Sequence, residues 1–265
     1  MPEVLTSTRS PRVLAVRRLD RRSARAAERR FVVEGPQAVR EALAGGHLLE
    51  LFAEPGRQPD LEAAARGVGT PVVHVAPKVM AALADTVTPQ GVVGVATLLD
   101  VPLGDALAGT PRLVAVLEQV ADPGNAGTVL RTADAAGADA VVLTDGSVDP
   151  HNGKCVRASA GSLFHLPVVA GVAAADAVAA LRERGLQVLA TTGAGDDDLD
   201  DLVDAGELHR PTAWLFGNEA AGLSEAAAGV ADRTVRVPVH GRAESLNLAT
   251  AAAVCLYASA RAQRR

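Results

Sequence analysis

Aromatic side chains are scarce: one Trp, one Tyr and four Phe in 265 residues. Modules that stack bases on exposed rings, of the RNA-recognition-motif or OB type, are poor readings of such a chain. Cysteine is nearly missing too. Cys155 and Cys255 make neither a metal-ligand spacing nor a disulfide framework, which fits a reducing cytoplasm. The six His residues include no pair at ligand spacing, so no metal is expected. No apolar run nears the roughly 20 residues of a membrane span, and no charged-apolar-small leader pattern opens the chain. The expectation is a soluble, cytoplasmic protein without a membrane partner.

What is present is an ample supply of core. Apolar residues make up 48% of the chain, and its length suits one large domain or two ordinary ones. The net charge of −5 argues mildly against a general nucleic-acid binder, but the charge is unevenly placed. Residues 1–30 carry nine Arg against Glu3, Asp20 and Glu28, a net of +6, so the remainder carries −11. A basic amino-terminal element on an acidic body suits phosphate binding; the plainer reading is a solvated helix face.

The element pattern divides the chain. Residues 12–29 read as one or two basic helices. Strands at 31–33, 48–53, 72–75 and 92–98 alternate with helices at 36–43, 61–66 and 78–83, a small α/β domain ending near residue 99. The Pro- and Gly-bearing stretch 100–112 reads as a linker. From 113 to 265 a second α/β rhythm follows. Its strands lie at 113–117, 140–143, 187–191, 213–216 and 234–237, its helices at 126–136, 172–184, 224–230 and 246–260. Strands that are apolar throughout indicate a parallel sheet covered on both faces.

Three segments at strand ends carry polar chemistry. Asp122-Pro123-Gly124-Asn125-Ala126-Gly127, with Arg131 further along, follows a strand and opens a helix, whose N-terminus favours an anion. An ordinary βα turn with a surface Arg is the bland alternative. In Leu215-Phe216-Gly217-Asn218-Glu219-Ala220-Ala221-Gly222-Leu223-Ser224, Gly217 ends a buried strand and can offer main chain to a flat ligand. Glu219 meets a cation or serves as a helix N-terminal charge. In Val235 to Tyr257, Glu244-Ser245-Leu246-Asn247 opens an almost wholly apolar helix. Gly193-Ala194-Gly195 is half a dinucleotide fingerprint, and Asp196-Asp197-Asp198 behind it would repel a pyrophosphate. Asp134 and Asp139 read as solvated charges at a helix end.

Taken in order, NAGTVLRTADAAGA, LFGNEAAGLS and VPVHGRAESLNLATA resemble the three motifs of the SpoU/TrmH family of RNA ribose methyltransferases, in the SPOUT class. Arg157-Ala158-Ser159-Ala160-Gly161 looks like the family's segment between the first two. Phe31-Val32-Val33-Glu34-Gly35 and Thr88-Pro89-Gln90-Gly91 look like the substrate-binding domain that often precedes the methyltransferase. Val237 stands where Ile is frequent and Leu248 where Val is frequent, both apolar exchanges.

The resemblance implies an L30e-like amino-terminal RNA substrate-binding domain (1–99), the linker, and a trefoil-knotted parallel-sheet domain (113–265), a rare exception to the rule against knots. It implies a homodimer, S-adenosylmethionine as cofactor, and methylation of a ribose 2′-hydroxyl in structured RNA. Residue by residue, Arg131 becomes the catalytic residue, with Asn125, Glu219, Ser245 and Asn247 around it. Thr191, Gly217, Val237 and Leu246 become the cofactor-binding set. A guanidinium is almost never deprotonated, so orientation of the hydroxyl and a phosphate suits Arg131 better than a role as base. The added amino-terminal domain favours 23S ribosomal RNA over transfer RNA. Self-resistance to a ribosome-directed antibiotic, a catalytically silent RNA-binding or ribosome-assembly protein, and a nicotinamide-dependent enzyme are the competing readings. The intact motif set opposes the silent protein, and the incomplete glycine fingerprint opposes the nicotinamide enzyme.

Overall fold

The computed structural model describes residues 4–264, which fall into two compact units. One comprises the chain through Leu98 together with His151–His165; the other comprises Leu99–Pro150 and the chain from Leu166 onward.

The first unit runs β1 (Val4–Leu5), α1 (Pro11–Arg18), α2 (Arg22–Glu28), β2 (Arg30–Glu34), α3 (Pro36–Ala44), β3 (Leu48–Ala53), α4 (Pro59–Gly67), β4 (Val72–Val75), α5 (Pro77–Leu83) and β5 (Val92–Thr97). Four of its helices carry Pro in the first turn, where the missing N–H has no intrahelical partner to lose. The strands order β1-β4-β3-β5-β2, with β5 antiparallel to both β2 and β3. Val13, Val16 and Leu19 of the basic segment are buried against Phe52, Val79, Met80 and Val93. The arginines around them are therefore the outer face of a core element. Arg25 departs from that pattern. It is buried and donates to the carbonyls of Leu19 and Asp20, both at 2.8 Å, fastening the α1–α2 corner.

The second unit continues α6 (Leu103–Ala106), β6 (Leu113–Leu117), α7 (Pro123–Ala136) and β7 (Ala140–Thr144). Then α8 (Gly153–Ser159) packs on β2 of the first unit. The chain returns with β8 (Val168–Val172), α9 (Ala174–Glu183), β9 (Gln187–Thr191), β10 (Asp197–Asp198), α10 (Leu199–Asp204), β11 (Thr212–Phe216), α11 (Glu225–Gly229), β12 (Arg233–Arg236) and α12 (Leu248–Gln263). The seven strands order β10-β12-β9-β11-β6-β7-β8, and every pairing is parallel. The strands β6, β7, β9 and β11 are buried almost throughout, as their uninterrupted apolar runs require.

Two local expectations are corrected and a third is extended. Residues 168–172 form a strand; the helix read as starting at 172 starts at Ala174. The stretch 100–112 is not all linker: it holds α6, and Val101 and Leu103 pack on the second unit's core. Asp139 is exposed, as expected, and has a structural task as well. Its Oδ2 accepts from the backbone N–H groups of Arg112 (2.7 Å) and Leu113 (2.9 Å), pinning the start of β6.

Candidate active site

Register places the site. Phe216 pairs with both Thr191 and Leu117, and Thr191 pairs with Val235. The carboxyl ends of β12, β9, β11 and β6 therefore lie side by side, and the four loops leaving them share one edge of the sheet. In parallel α/β sheets ligands bind beyond that edge. The cavity there holds about 550 Å³ and is lined by Thr191, Gly217, Val237, Ser245, Leu246 and their neighbours. All four residues expected to bind cofactor, and Ser245 with them, lie on its wall.

Gly217 shows why that wall tolerates no side chain. A Cβ there would stand 2.3 Å from the backbone N of Leu223 and 2.4 Å from the carbonyl carbon of Gly222. The chain after β11 folds back on itself through Asn218, whose N–H and C=O pair with Gly222 at 2.8 and 2.9 Å. Asn218 also donates to the Gln119 carbonyl (2.7 Å) and accepts from the N–H groups of Ala220 and Ala221. Gln119 sits at φ 51°, a left-handed conformation that a non-glycine residue holds only when its surroundings fix it.

The polar centre is a chain of three side chains, one from each motif. Glu219 Oε1 accepts from Asn125 Nδ2 at 3.0 Å, and Asn125 Oδ1 accepts from Asn247 Nδ2 at 3.1 Å. Asn247 Oδ1 in turn accepts from the N–H groups of Ala249 and Thr250, capping α12. The apolar helix thus begins at Leu248, and residues 244–247 are the loop that delivers it.

Glu219 also accepts from the N–H groups of Ala121 and Asp122, both at 3.1 Å. Asp122 is the N-cap of α7, its Oδ1 accepting from Asn125 N at 2.9 Å. The anion expected at the α7 N-terminus is therefore protein: two carboxylates already use those donors. Burial acts to raise the Glu219 carboxyl. The hydrogen bonds from Asn125 and from backbone N–H groups outweigh it and hold the group below the ordinary 4.5.

Arg131 lies on α7 and is exposed, and its guanidinium makes no hydrogen bond or ion pair among the described residues. It joins neither the three-residue chain nor the cavity wall. Sequence reasoning missed Glu118, buried directly after β6, whose carboxylate accepts from Ser224 Oγ at 3.0 Å at the head of α11. A carboxylate abutting an apolar run was its available signal. Asp198 and Arg236, an ion pair at 3.3 Å on the cavity wall, were missed as well; with Asp197 bound to Arg233, two of the three clustered aspartates are neutralised.

Residues 112–257 match the SpoU rRNA methylase family. The chain belongs to that family. Residues 10–94 match the MRM3-like substrate binding domain, so the family's methylase part is preceded here by a substrate-binding part. The 23S rRNA (guanosine(2553)-2′-O)-methyltransferase RlmP of Bacillus subtilis is 34% identical over 96% of this chain and 97% of its own. An S-adenosylmethionine-bound rRNA methyltransferase from Sinorhizobium meliloti superposes with a TM-score of 0.84, at 33% identity, covering 98% of this chain and 97% of that one. The SpoU methyltransferase AviRb from Streptomyces viridochromogenes, also with S-adenosylmethionine, gives 0.86 at 30% identity, covering 97% and 98%. The cavity fits the cofactor of these SpoU relatives: Gly217 lets the loop after β11 close tightly on itself along the wall, and Leu246 supplies apolar surface.

Proposed function

We propose that this chain transfers a methyl group from S-adenosylmethionine to a ribose 2′-hydroxyl of 23S ribosomal RNA. The observation that carries the proposal is the Glu219–Asn125–Asn247 chain beside the strand-end cavity, which joins all three SpoU motifs in one place. Transfer RNA is the alternative substrate; the added substrate-binding part favours the ribosome.

S-adenosylmethionine supplies an electrophilic methyl on a sulfonium when bound. Thr191, Gly217, Val237 and Leu246 would hold it, largely through main chain. Asn125 and Asn247 fix the loop on which Ser245 stands, and Glu219 locks that arrangement to the β6–α7 turn. Arg131, permanently charged and without an internal partner, orients the incoming hydroxyl and grips an RNA phosphate. The hydroxyl proton then leaves to a phosphate oxygen, since the guanidinium itself is no base.

The unit formed by the chain through Leu98 with His151–His165 acts as the RNA-binding domain, and the unit that begins at Leu99 carries the catalysis and the knot implied by the SPOUT resemblance. Five exposed arginines of the basic segment (Arg9, Arg17, Arg21, Arg22 and Arg30) have guanidinium groups that make no hydrogen bond or ion pair among the described residues, which suits phosphate contact. The working form is a homodimer. One face of α12 is buried through Ala252, Cys255, Leu256 and Ser259, while Val254 and Tyr257 are 41% and 52% exposed, an apolar face for a second copy. The compartment is the cytoplasm, where ribosomal RNA is modified; no helix among the described residues is long and apolar enough to cross a membrane.

The test is methyl transfer from labelled cofactor to rRNA taken from a strain deleted for this protein. An alkali-resistant, 2′-O-methylated dinucleotide at one position is expected. Label on a base, or none despite cofactor binding, would remove the assignment.

A further inference from the structure

The amino-terminal unit holds a second cavity, of about 250 Å³, that the methyl-transfer site does not use. Leu19, Val32 and Leu83 give it apolar walls; Asp20, Glu34, Asp85 and the first turn of α8 give it polar ones. Most of its polar groups are committed. Glu34 accepts from the N–H groups of Asp85 (3.0 Å) and Thr86 (3.3 Å) and from Thr86 Oγ1. Arg157 donates to Glu34 (3.3 Å) and to Asp85 (2.6 Å). Arg25 holds the two carbonyls of the α1–α2 corner, and Asn152 caps α8 through Lys154 N.

Asp20 is the exception. Its side chain is exposed and its carboxylate makes no hydrogen bond or salt bridge among the described residues; partial desolvation, followed by repulsion from Asp85, raises its pKa against the opposing pull of Arg17 and Arg25. The charge reverses around it. Arg17, Arg21 and Arg22 flank Asp20 along the chain and are exposed, and their guanidinium groups make no hydrogen bond or ion pair among the described residues. Lys154, on the cavity wall, is exposed as well.

We propose that this cavity takes a guanine base of the RNA, read by Asp20, while Arg17, Arg21, Arg22 and Lys154 hold the flanking phosphates. A carboxylate only accepts hydrogen bonds, and it offers two oxygens side by side. Guanine presents N1–H and N2–H₂ side by side. Adenine, cytosine and uracil each set a donor beside an acceptor, which would face a carboxylate oxygen. Leu19, Val32 and Leu83 cover the ring faces that aromatic side chains cover in other RNA-binding modules. The proposal rests on the reading of the chain as an RNA methyltransferase and adds to it a base-specific contact in the substrate-binding part.

The experiment is saturation-transfer NMR on the full chain with GMP, IMP, AMP and UMP. GMP is expected to bind about tenfold tighter than IMP, which lacks the N2 amino group. Asp20→Asn should erase that preference while S-adenosylmethionine affinity, read by calorimetry, stays at the wild-type value. Lys154→Gln should weaken all four nucleotides together. Equal binding of the four, no binding of any, a preference that survives Asp20→Asn, or displacement of GMP by S-adenosylmethionine would each overturn the assignment. None of these readouts requires methyl transfer. The guanine pocket can thus fail while methylation stands, and loss of methylation on all RNA would be seen separately.

Discussion

Removing the Glu219 carboxylate should loosen the three motifs from one another. Glu219→Ala deletes acceptors for Ala121 N, Asp122 N and Asn125 Nδ2. A buried hydrogen bond to a charged group contributes about 1.5–3 kcal/mol. Glu219 is exposed, so water resolvates much of what is freed, and the summed cost falls to about 1–3 kcal/mol. Glu219→Gln keeps one oxygen but turns an amide donor toward the backbone N–H groups, costing about 1 kcal/mol. Calorimetric melting should therefore rank wild type above Gln above Ala. A cycle with Asn125→Ala should show coupling of at least ~0.5 kcal/mol, whereas one with Arg131→Ala should be additive. The pH dependence has a definite sign. The folded carboxyl lies below its ordinary 4.5, so its contribution is full above 4.5 and is lost as pH falls through the lowered value. The gap between wild type and Glu219→Ala should stay constant near neutrality and close in acid. Equal melting of the Ala and Gln variants, with an additive Asn125 cycle, would refute the reasoning.

Gly217→Ala should cost about 1–3 kcal/mol of stability and at least tenfold in S-adenosylmethionine affinity by calorimetry, because its Cβ meets backbone that cannot turn aside. Replacing Arg17, Arg21 and Arg22 together by Gln should lower the slope of log affinity against log salt by about 2 for structured RNA and leave cofactor affinity unchanged; an unaltered slope would show that they only face solvent. Tyr257→Asp should halve the mass seen by light scattering, and an unchanged dimer would place the interface elsewhere.

Much of the scaffold was legible because its signals are local. The runs 48–53, 72–75, 113–117 and 187–191 are short, apolar or β-branched, and bounded by turns, and each is the strand expected. The failures arise where one residue type serves two states. Val168-Val169-Ala170-Gly171-Val172 runs straight into an Ala-rich helix with no polar break, and periodicity alone cannot divide the two. At α12, Asn247 was read inside the helix although its side chain is the cap, since capping depends on backbone geometry that residue identity leaves open. Arg25 was indistinguishable from its neighbours; only the corner between α1 and α2 turns it inward. The site motifs were visible one by one. The bond from Asn125 to Glu219 joins residues 94 apart, and only the sheet order brings them together.

The central claim is that main chain at the strand ends holds the cofactor while Arg131 directs the hydroxyl. Methyl transfer and S-adenosylmethionine binding measured side by side for Arg131→Ala and Arg131→Lys test it most directly. Both variants should bind cofactor with wild-type affinity and transfer no methyl, because an ammonium cannot reproduce the planar fork that spans phosphate and hydroxyl. Near-normal turnover by Arg131→Lys, or cofactor affinity lost together with activity, would contradict it.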